Sequence, residues 1–257
     1  MSDTLKLNII FPVLNEHLRL ERGITKSVEY LRALADKPQS PISAGSYTLI
    51  IADNGSDDDT PEIGKRLEAQ YDEVTYLRTE ERGVGIAFKT GVEYATADIV
   101  GYMDIDLSTD IRYLEKTLDM FAKRPDIEYV NASRFHRKSV TIGRKWYRKI
   151  TSAGLLILLK VFFGMKSTDA ICGFTFMRYD VASRLIRQCS DEKGWFYMIE
   201  LLLRAERSGV KVYDLPIRWV EDYDTTVNVS KTIRNYLINI VKLKKTFMTE
   251  RLNKDHA

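Results

Sequence analysis

Apolar and polar positions along the chain alternate between two periods. Short, β-branched apolar runs stand at Leu7–Val13 (LNIIFPV), Tyr47–Asp53 (YTLIIAD), Val74–Thr79 (VTYLRT), Asp98–Asp104 (DIVGYMD) and Tyr129–Ser133 (YVNAS). Between them, segments near 17–36, 60–72, 84–97 and 111–124 carry the helical period. Thr60-Pro61-Glu62 reads as an N-cap followed by proline at the first helical position. This β-α-β-α order predicts an α/β fold with a mostly parallel, doubly wound sheet flanked by helices.

After residue 140 the rhythm changes. Arg144–Gly164 (RKWYRKITSAGLLILLKVFFG) predicts a helix that is basic and aromatic at its start and apolar later. A strand is expected at Cys172–Arg178, helices near 179–189 and 195–208, and a last strand at Val210–Trp219, where Pro216 argues for an edge. In the tail, Ile233, Leu237, Ile240, Val241 and Leu243 recur at helical spacing with basic residues between. The simplest division is a catalytic domain over 1–224 and a basic, amphipathic helical segment over 225–257.

Composition narrows the class. The chain has 257 residues, 44% apolar and 29% charged, enough for a substantial core. Its two cysteines and three histidines form no zinc pattern, which leaves a reducing compartment as the expectation. The first residues lack a signal-peptide core, and no run approaches the ~20 apolar residues that span a bilayer, so a soluble or peripheral protein is expected. The net charge of +3 conceals a segregation. Residues 129–168 contain nine Lys/Arg and no acid, and residues 225–249 are also acid-free. An anionic partner explains such stretches, and solvated basic faces are the alternative. Nucleic acid is not expected, because no RNP, helix-turn-helix or zinc signature accompanies the charge.

Three polar clusters, PVLNE, ADNGSDDDT and DIDLSTD, begin where strands should end. Ligands of such sheets bind beyond the carboxyl ends of the strands. Asp104 and Asp106, two residues apart, can share one face and reach one cation. Two carboxylates so close are costly unless neutralised, and Mg²⁺ or Mn²⁺ bridging to substrate phosphates would do so; a solvated turn is the other reading. Asp53 is placed either to read a nucleoside base or to shape a turn, with Asn15 and Glu16 at the neighbouring strand end. Arg82-Gly83-Val84-Gly85 has the look of a phosphate loop without the P-loop or dinucleotide frame, and Lys89 could approach a pyrophosphate. Asp110 is expected simply to start the next helix.

Together PVLNE, ADNGSDDDT, RGVGIAFKTG, DIDLSTD, ASRF, DAICGF and the E-L-L at Glu200–Leu202 resemble, in this order, family 2 glycosyltransferases of the GT-A fold. The likeness is greatest to the dolichyl-phosphate glucosyltransferase and dolichol-phosphate mannose synthase group and spans about residues 5–232. It implies a nucleotide sugar held by Pro12, Asn15, Glu16, Asp53, Gly55, Ser56, Lys89 and Asp104, and a metal on Asp104 and Asp106. It also implies that Arg134, Arg148 and Ser152 hold an acceptor phosphate and that Asp169 acts in catalysis, with Glu200 in reserve as a base. The implied reaction is inverting transfer of a hexose to a polyprenyl phosphate at the cytoplasmic membrane surface. UDP-glucose is the favoured donor and GDP-mannose the second choice; a saccharide hydroxyl is the alternative acceptor. Asn54 departs from the family, where a second aspartate is common. The basic, aromatic start of the 144–164 helix has the features of a segment lying at a membrane interface.

Overall fold

The structure, a computed structural model, describes residues 4–221 and 229–255. The proposed division at 224/225 falls outside the described residues. The chain runs β1 (Leu7–Val13), α1 (Leu20–Ala35), β2 (Tyr47–Asn54), α2 (Thr60–Gln70), β3 (Val74–Thr79), α3 (Val84–Tyr94), β4 (Ile99–Met103), α4 (Tyr113–Lys123) and β5 (Tyr129–Ser133). It continues with β6 (Val140–Ile142), α5 (Trp146–Phe163), β7 (Phe174–Arg178), α6 (Tyr179–Ile186), α7 (Phe196–Arg207), β8 (Val212–Pro216), β9 (Arg218–Val220) and α8 (Val229–Asp255).

Seven strands form one sheet in the order β3-β2-β1-β4-β7-β5-β8. All neighbours are parallel except β7, which runs antiparallel between β4 and β5. The central β1 is apolar except for Asn8 and almost wholly buried, as a strand covered on both faces must be. One face packs on Leu20, Ile24 and Leu31 of α1, Leu67 of α2 and Leu114 and Leu118 of α4. The other packs on α3, α6 and α7, with Leu155, Leu156 and Leu159 of α5 and Tyr236, Ile240, Leu243 and Phe247 of α8 closing the layer. From β1 the chain passes to β2 on one side and, later, β4 pairs on the other. This is the switch point where such sheets open a crevice.

The expected last strand divides into two. Val212–Pro216 is the sheet edge, as Pro216 required, while Arg218–Val220 leaves the sheet and pairs with Val140–Ile142. The stray strand β9 is tied to the loop after β4 by a Thr109–Trp219 bridge and by Val220 N donating to Ser108 O at 2.9 Å. Helix α2 begins at Thr60 rather than being capped by it. Asp58 accepts from Thr60 N at 2.9 Å, and the Thr60 hydroxyl turns away to accept from Glu16 N at 2.8 Å. Among the described residues no helix is long and apolar enough to cross a membrane.

Candidate active site

The carboxyl ends of β1 and β2 meet in a corner built by hydrogen bonds. Asp53 is fully buried; its Oδ1 accepts from Ser56 N at 2.9 Å, and its Oδ2 from Tyr76 OH at 2.6 Å and Arg78 Nη1 at 3.0 Å. Parallel register sets Arg78 directly beside Asp53. Asn15, in the left-handed region at φ 56°, donates from its backbone to Ser56 Oγ at 2.9 Å and from its amide to Asp57 Oδ1 at 2.7 Å. Pro12 and Ala52 are register partners just inside this corner, and Gly55 turns the chain at φ 83°. Glu16 Oε2 accepts from Arg19 Nη1 at 2.9 Å. Asn54, which stands where a second aspartate is common in the family it resembles, donates to Val13 O at 2.7 Å and accepts from Gly83 N at 2.9 Å. An aspartate could not make the first of these bonds.

The segment Arg82–Gly85 is not an open phosphate cradle. A Cβ on Gly83 would lie 2.0 Å from Lys193 O, and one on Gly85 2.6 Å from the Tyr197 side chain. These glycines let α3 close against the 192–197 turn. Lys89 is exposed on the second turn of α3.

Asp104 leaves β4 against Gly173, where a Cβ would fall 1.7 Å from its Oδ2. Only glycine leaves that carboxylate room. Asp104 N donates to Gly173 O at 3.0 Å, and Tyr102 OH, two residues back on the same strand face, donates to Asp104 Oδ1 at 2.8 Å. Burial pushes the Asp104 carboxyl well above its ordinary range, and the charge of Asp106 pushes it further. Asp106 accepts from Ser108 N and Ser108 Oγ, both at 2.8 Å, which holds the turn. No cluster of three or more candidate ligands occurs among the described residues. The pair nonetheless fits a hard divalent cation: two close carboxylates, one of them resisting ionisation for want of positive charge, with remaining positions left to water and diphosphate oxygens. Tyr102, Asp104, Asn131, Gly173, Trp195 and Tyr236 line the cleft beside this pair. Asp110 pairs with Arg112, just ahead of α4, at 2.5 Å.

Across the cleft the charge is positive. Arg134 and Asp169 form a buried fork: Nε to Oδ2 at 2.8 Å, Nη2 to Oδ1 at 3.0 Å, with Arg134 N adding a bond to Oδ2 at 3.0 Å. Ile171 N donates to Oδ1 at 3.1 Å. Burial works to raise the Asp169 pKa, but the charge and hydrogen bonds of Arg134 outweigh it and hold the carboxyl below its usual range. Arg148 pairs through Nη1 with the buried Glu221, leaving Arg148 Nε and Glu221 Oε2 buried without partners among the described residues. Ser152 Oγ accepts from Arg144 Nη2 at 2.6 Å. The guanidiniums of Arg134 and Arg144 lie over the same two rings, Phe135 and Trp219.

The structure thus gathers Asp53, Asn15, Glu16 and Ser56 in one corner, sets Asp104 and Asp106 beside the cleft, and places Arg134, Arg148, Ser152 and Asp169 beyond it. Glu200 is elsewhere. It is buried on α7 and accepts from Ser190 N at 2.9 Å, Arg204 Nε at 2.7 Å and Ser190 Oγ at 2.5 Å, while Arg204 reaches on to Glu250 of α8 at 2.9 Å. Its oxygens tie α7 to the turn before it and hold Arg204, which itself reaches α8. Sequence reasoning missed Tyr102, Arg78, Trp219 and Glu221. The i−2 spacing to Asp104 was a signal for Tyr102; nothing local marked the other three.

The chain matches the family described as Glycosyl transferase family 2 over residues 8–186. It is 29% identical over 229 residues to Glycosyltransferase AglD of Haloferax volcanii, covering 89% of this chain and 35% of AglD. It is 26% identical over 234 residues to Dolichyl-phosphate beta-glucosyltransferase ALG5A of Trichomonas vaginalis, covering 89% of this chain and 70% of that protein. The chain therefore spans about a third of the first relative and most of the second. The same fold occurs in glucosyl-3-phosphoglycerate synthase of Mycobacterium tuberculosis. With UDP bound, that structure has a TM-score of 0.68 at 16% identity, covering 95% of this chain and 82% of that one. Its complex with Mn²⁺, UDP-glucose and glycerol 3-phosphate has a TM-score of 0.67 at 15% identity, covering 95% and 81%. A seven-stranded sheet opening at its switch point, an acidic pair there, and a family match over most of that sheet agree: the chain belongs to glycosyl transferase family 2 and is a glycosyltransferase.

Proposed function

We propose that this glycosyltransferase moves a hexose, glucose in the first instance, from a UDP-sugar to a polyprenyl phosphate with inversion, working peripherally at the cytoplasmic face of a membrane; GDP-mannose is the second donor to test. The observation that carries the reading is the reversal of charge across the cleft, with an acidic pair on one side and an arginine cluster on the other. The similarity to a dolichyl-phosphate beta-glucosyltransferase and the UDP-glucose complex of a protein with this fold support the choice of acceptor and donor.

In this reading the nucleotide lies in the corner of Pro12, Asn15, Glu16, Asp53, Gly55 and Ser56, with Lys89 near the pyrophosphate. Asp104 and Asp106 would hold Mg²⁺ or Mn²⁺, which would supply charge stabilisation for the departing diphosphate. An acceptor phosphate oxygen attacks the anomeric carbon, and the bond to the nucleotide diphosphate breaks with its electron pair leaving on that diphosphate. The phosphate oxygen is already ionised near neutral pH, so positioning by cations is needed rather than deprotonation. Asp169 suits that requirement. Its oxygens are committed to Arg134 and Ile171 and its pKa is held low, which makes it an orienter of Arg134 and a poor general base. A saccharide hydroxyl would require the base that this carboxylate does not supply.

The lipid acceptor also accounts for an unusual surface. On α5, Trp146, Ile150, Ile157 and Val161 are exposed beside Lys145, Lys149 and Lys160, and on α8 Leu237, Ile238 and Val241 are exposed beside Arg234 and Lys242. Each such apolar side chain, about half or more exposed, forgoes on the order of 1 kcal/mol of burial. A basic rim around them favours an anionic bilayer surface over a neutral protein partner.

The test is incubation with UDP-[¹⁴C]glucose, Mn²⁺ and polyprenyl phosphate in anionic vesicles. Label is expected in the organic phase and is lost on chelation of the metal. Failure to label any polyprenyl phosphate from any UDP- or GDP-sugar would overturn the reading.

A further inference from the structure

Three arginines cluster beside β9, and they are not equivalent. Arg134 is neutralised by Asp169 and Arg148 by Glu221. Arg144 has no carboxylate within ion-pair distance among the described residues. Its hydrogen bonds, to Ser152 Oγ at 2.6 Å and Arg148 O at 3.4 Å, both come from Nη2. Among the described residues Nε and Nη1 have no hydrogen-bond acceptor, and both are open to a ligand. Its guanidinium is stacked 5.2 Å from the Phe135 centroid and 5.7 Å from that of Trp219, which fixes the plane of the fork.

Of the charged groups around Arg144, Arg134 repels its charge, and Asp169 and Glu221 attract it. With Arg148, three guanidiniums therefore face two carboxylates, and the surplus positive charge rests on Arg144. Burial, and then the charge of Arg134, bring the Arg144 pKa down to about 10. A half-buried cation beside a like charge costs free energy that a bound anion would return. Arg148 Nε, buried and unpartnered among the described residues, is a further donor close by.

Resting on the lipid-phosphate reading above, we propose that Arg144 is the residue that receives the acceptor's phosphate monoester, with Arg134 and Arg148 acting as its positioning neighbours. The two neutralised arginines shape the seat and the surplus one fills it. Ser152 then acts by holding the Arg144 fork as well as by any contact of its own.

Titration calorimetry on the full chain tests the assignment, with farnesyl phosphate in detergent micelles in one arm and inorganic phosphate in the other. UDP with Mn²⁺ serves as the control for an intact donor corner. Arg144→Gln is expected to weaken farnesyl phosphate binding on the order of 10- to 100-fold, the effect of losing charge-assisted hydrogen bonds, with UDP affinity unchanged. Arg144→Lys is expected to recover part of the loss, because it restores the charge without the fork; if the Gln variant does not fold, a several-fold weakening in the Lys variant carries the test. Farnesyl phosphate binding that is equal in wild type and both variants overturns the assignment and leaves the lipid-phosphate reading standing. Arg144-dependent binding of inorganic phosphate without any farnesyl phosphate binding supports the seat and overturns the lipid reading. Binding of neither anion by the wild type overturns both.

Discussion

The two sides of the cleft handle charge in the same way with opposite sign. On the nucleotide side, Asp53 is satisfied internally by Arg78, Tyr76 and Ser56, while Asp104 and Asp106 are left with too little positive charge. On the far side, Arg134 and Arg148 are satisfied by Asp169 and Glu221, while Arg144 is left with too little negative charge. Each half has a neutral frame and a residual charge. The frame shapes the site, and the residual charge is what the proposed ligands would neutralise: a cation on one side, an anion on the other. Strand β9 joins the halves, since its Trp219 bridges to Thr109 of the acidic loop and carries the guanidiniums of Arg134 and Arg144 on its ring.

If that division is right, substitutions in the frame are paid in folding and substitutions of residual charge in function. The largest effect is expected for Asp169→Asn, which strands Arg134 as an uncompensated buried charge. Breaking a buried pair from one side costs about 3–5 kcal/mol, roughly a 10 °C fall in Tm for a domain of this size. Thermal denaturation should show it, and Asp169→Asn combined with Arg134→Met should recover much of the loss. The pH dependence has a definite sign. The folded carboxyl titrates below the unfolded one, so its stabilisation is complete above the unfolded value of about 4 and disappears as pH falls through the lower folded value. The gap between wild type and Asp169→Asn should hold from pH 8 to pH 5 and close only in acid. A variant of normal stability whose turnover alone collapses would instead make Asp169 the base and break the comparison.

Next comes residual charge on the donor side. Asp104→Asn should keep the fold and lower sugar transfer at least about 100-fold, the scale of losing one preorganised electrostatic contact to a leaving group. Donor turnover assays with a melting curve separate the two effects. A large loss of Tm with modest loss of turnover would place Asp104 in the frame.

The contrast between frame and residual charge also marks what could be read from the residues alone. The strands β1, β3 and β5 fall where the β-branched and aromatic runs lay; β1 and β5 are buried in the sheet interior, and β3, at the edge, is mostly half-buried. The acidic pair was legible from its spacing at a strand end. The neutral frame was not: Asp169 meets Arg134 across 35 positions and Arg148 meets Glu221 across 73, and no local pattern specifies such partners. β6 and β9, three residues each, are too short to carry a period. Glu200 shows the same limit from another side: of its three hydrogen bonds, from Ser190 N, Ser190 Oγ and Arg204 Nε, the two from Ser190 tie α7 to the turn before it, and no local pattern specified them.

A smaller effect sharpens the donor half. Asp53→Ala releases Ser56 N, Tyr76 OH and Arg78 together, so the nucleotide corner loses its shape; UDP affinity measured by calorimetry should fall roughly 10-fold. Since the frame is shared by any nucleotide that fits it, GDP affinity should fall in proportion if GDP binds at all, whereas loss of UDP binding alone would make Asp53 a direct reader of the base.

The smallest effects belong to the surface proposed to bring the protein to its acceptor. Lys145 and Lys149 are exposed at the start of α5, next to Trp146. Each cation near an anionic bilayer contributes about 1 kcal/mol, so Lys145→Ala and Lys149→Ala should each weaken partitioning to phosphatidylserine-containing vesicles by roughly 5-fold. The shift of Trp146 fluorescence on vesicle addition reports this directly. Raised salt should erase most of the difference between wild type and variants, because screening acts on exposed charges and spares the buried seat around Arg144. Salt therefore separates the charges that recruit the protein to a membrane from the one proposed to hold the phosphate. If raised salt abolished farnesyl phosphate binding in micelles as completely as vesicle partitioning, the basic side would be one diffuse surface field and the distinction between frame and residual charge would fail there.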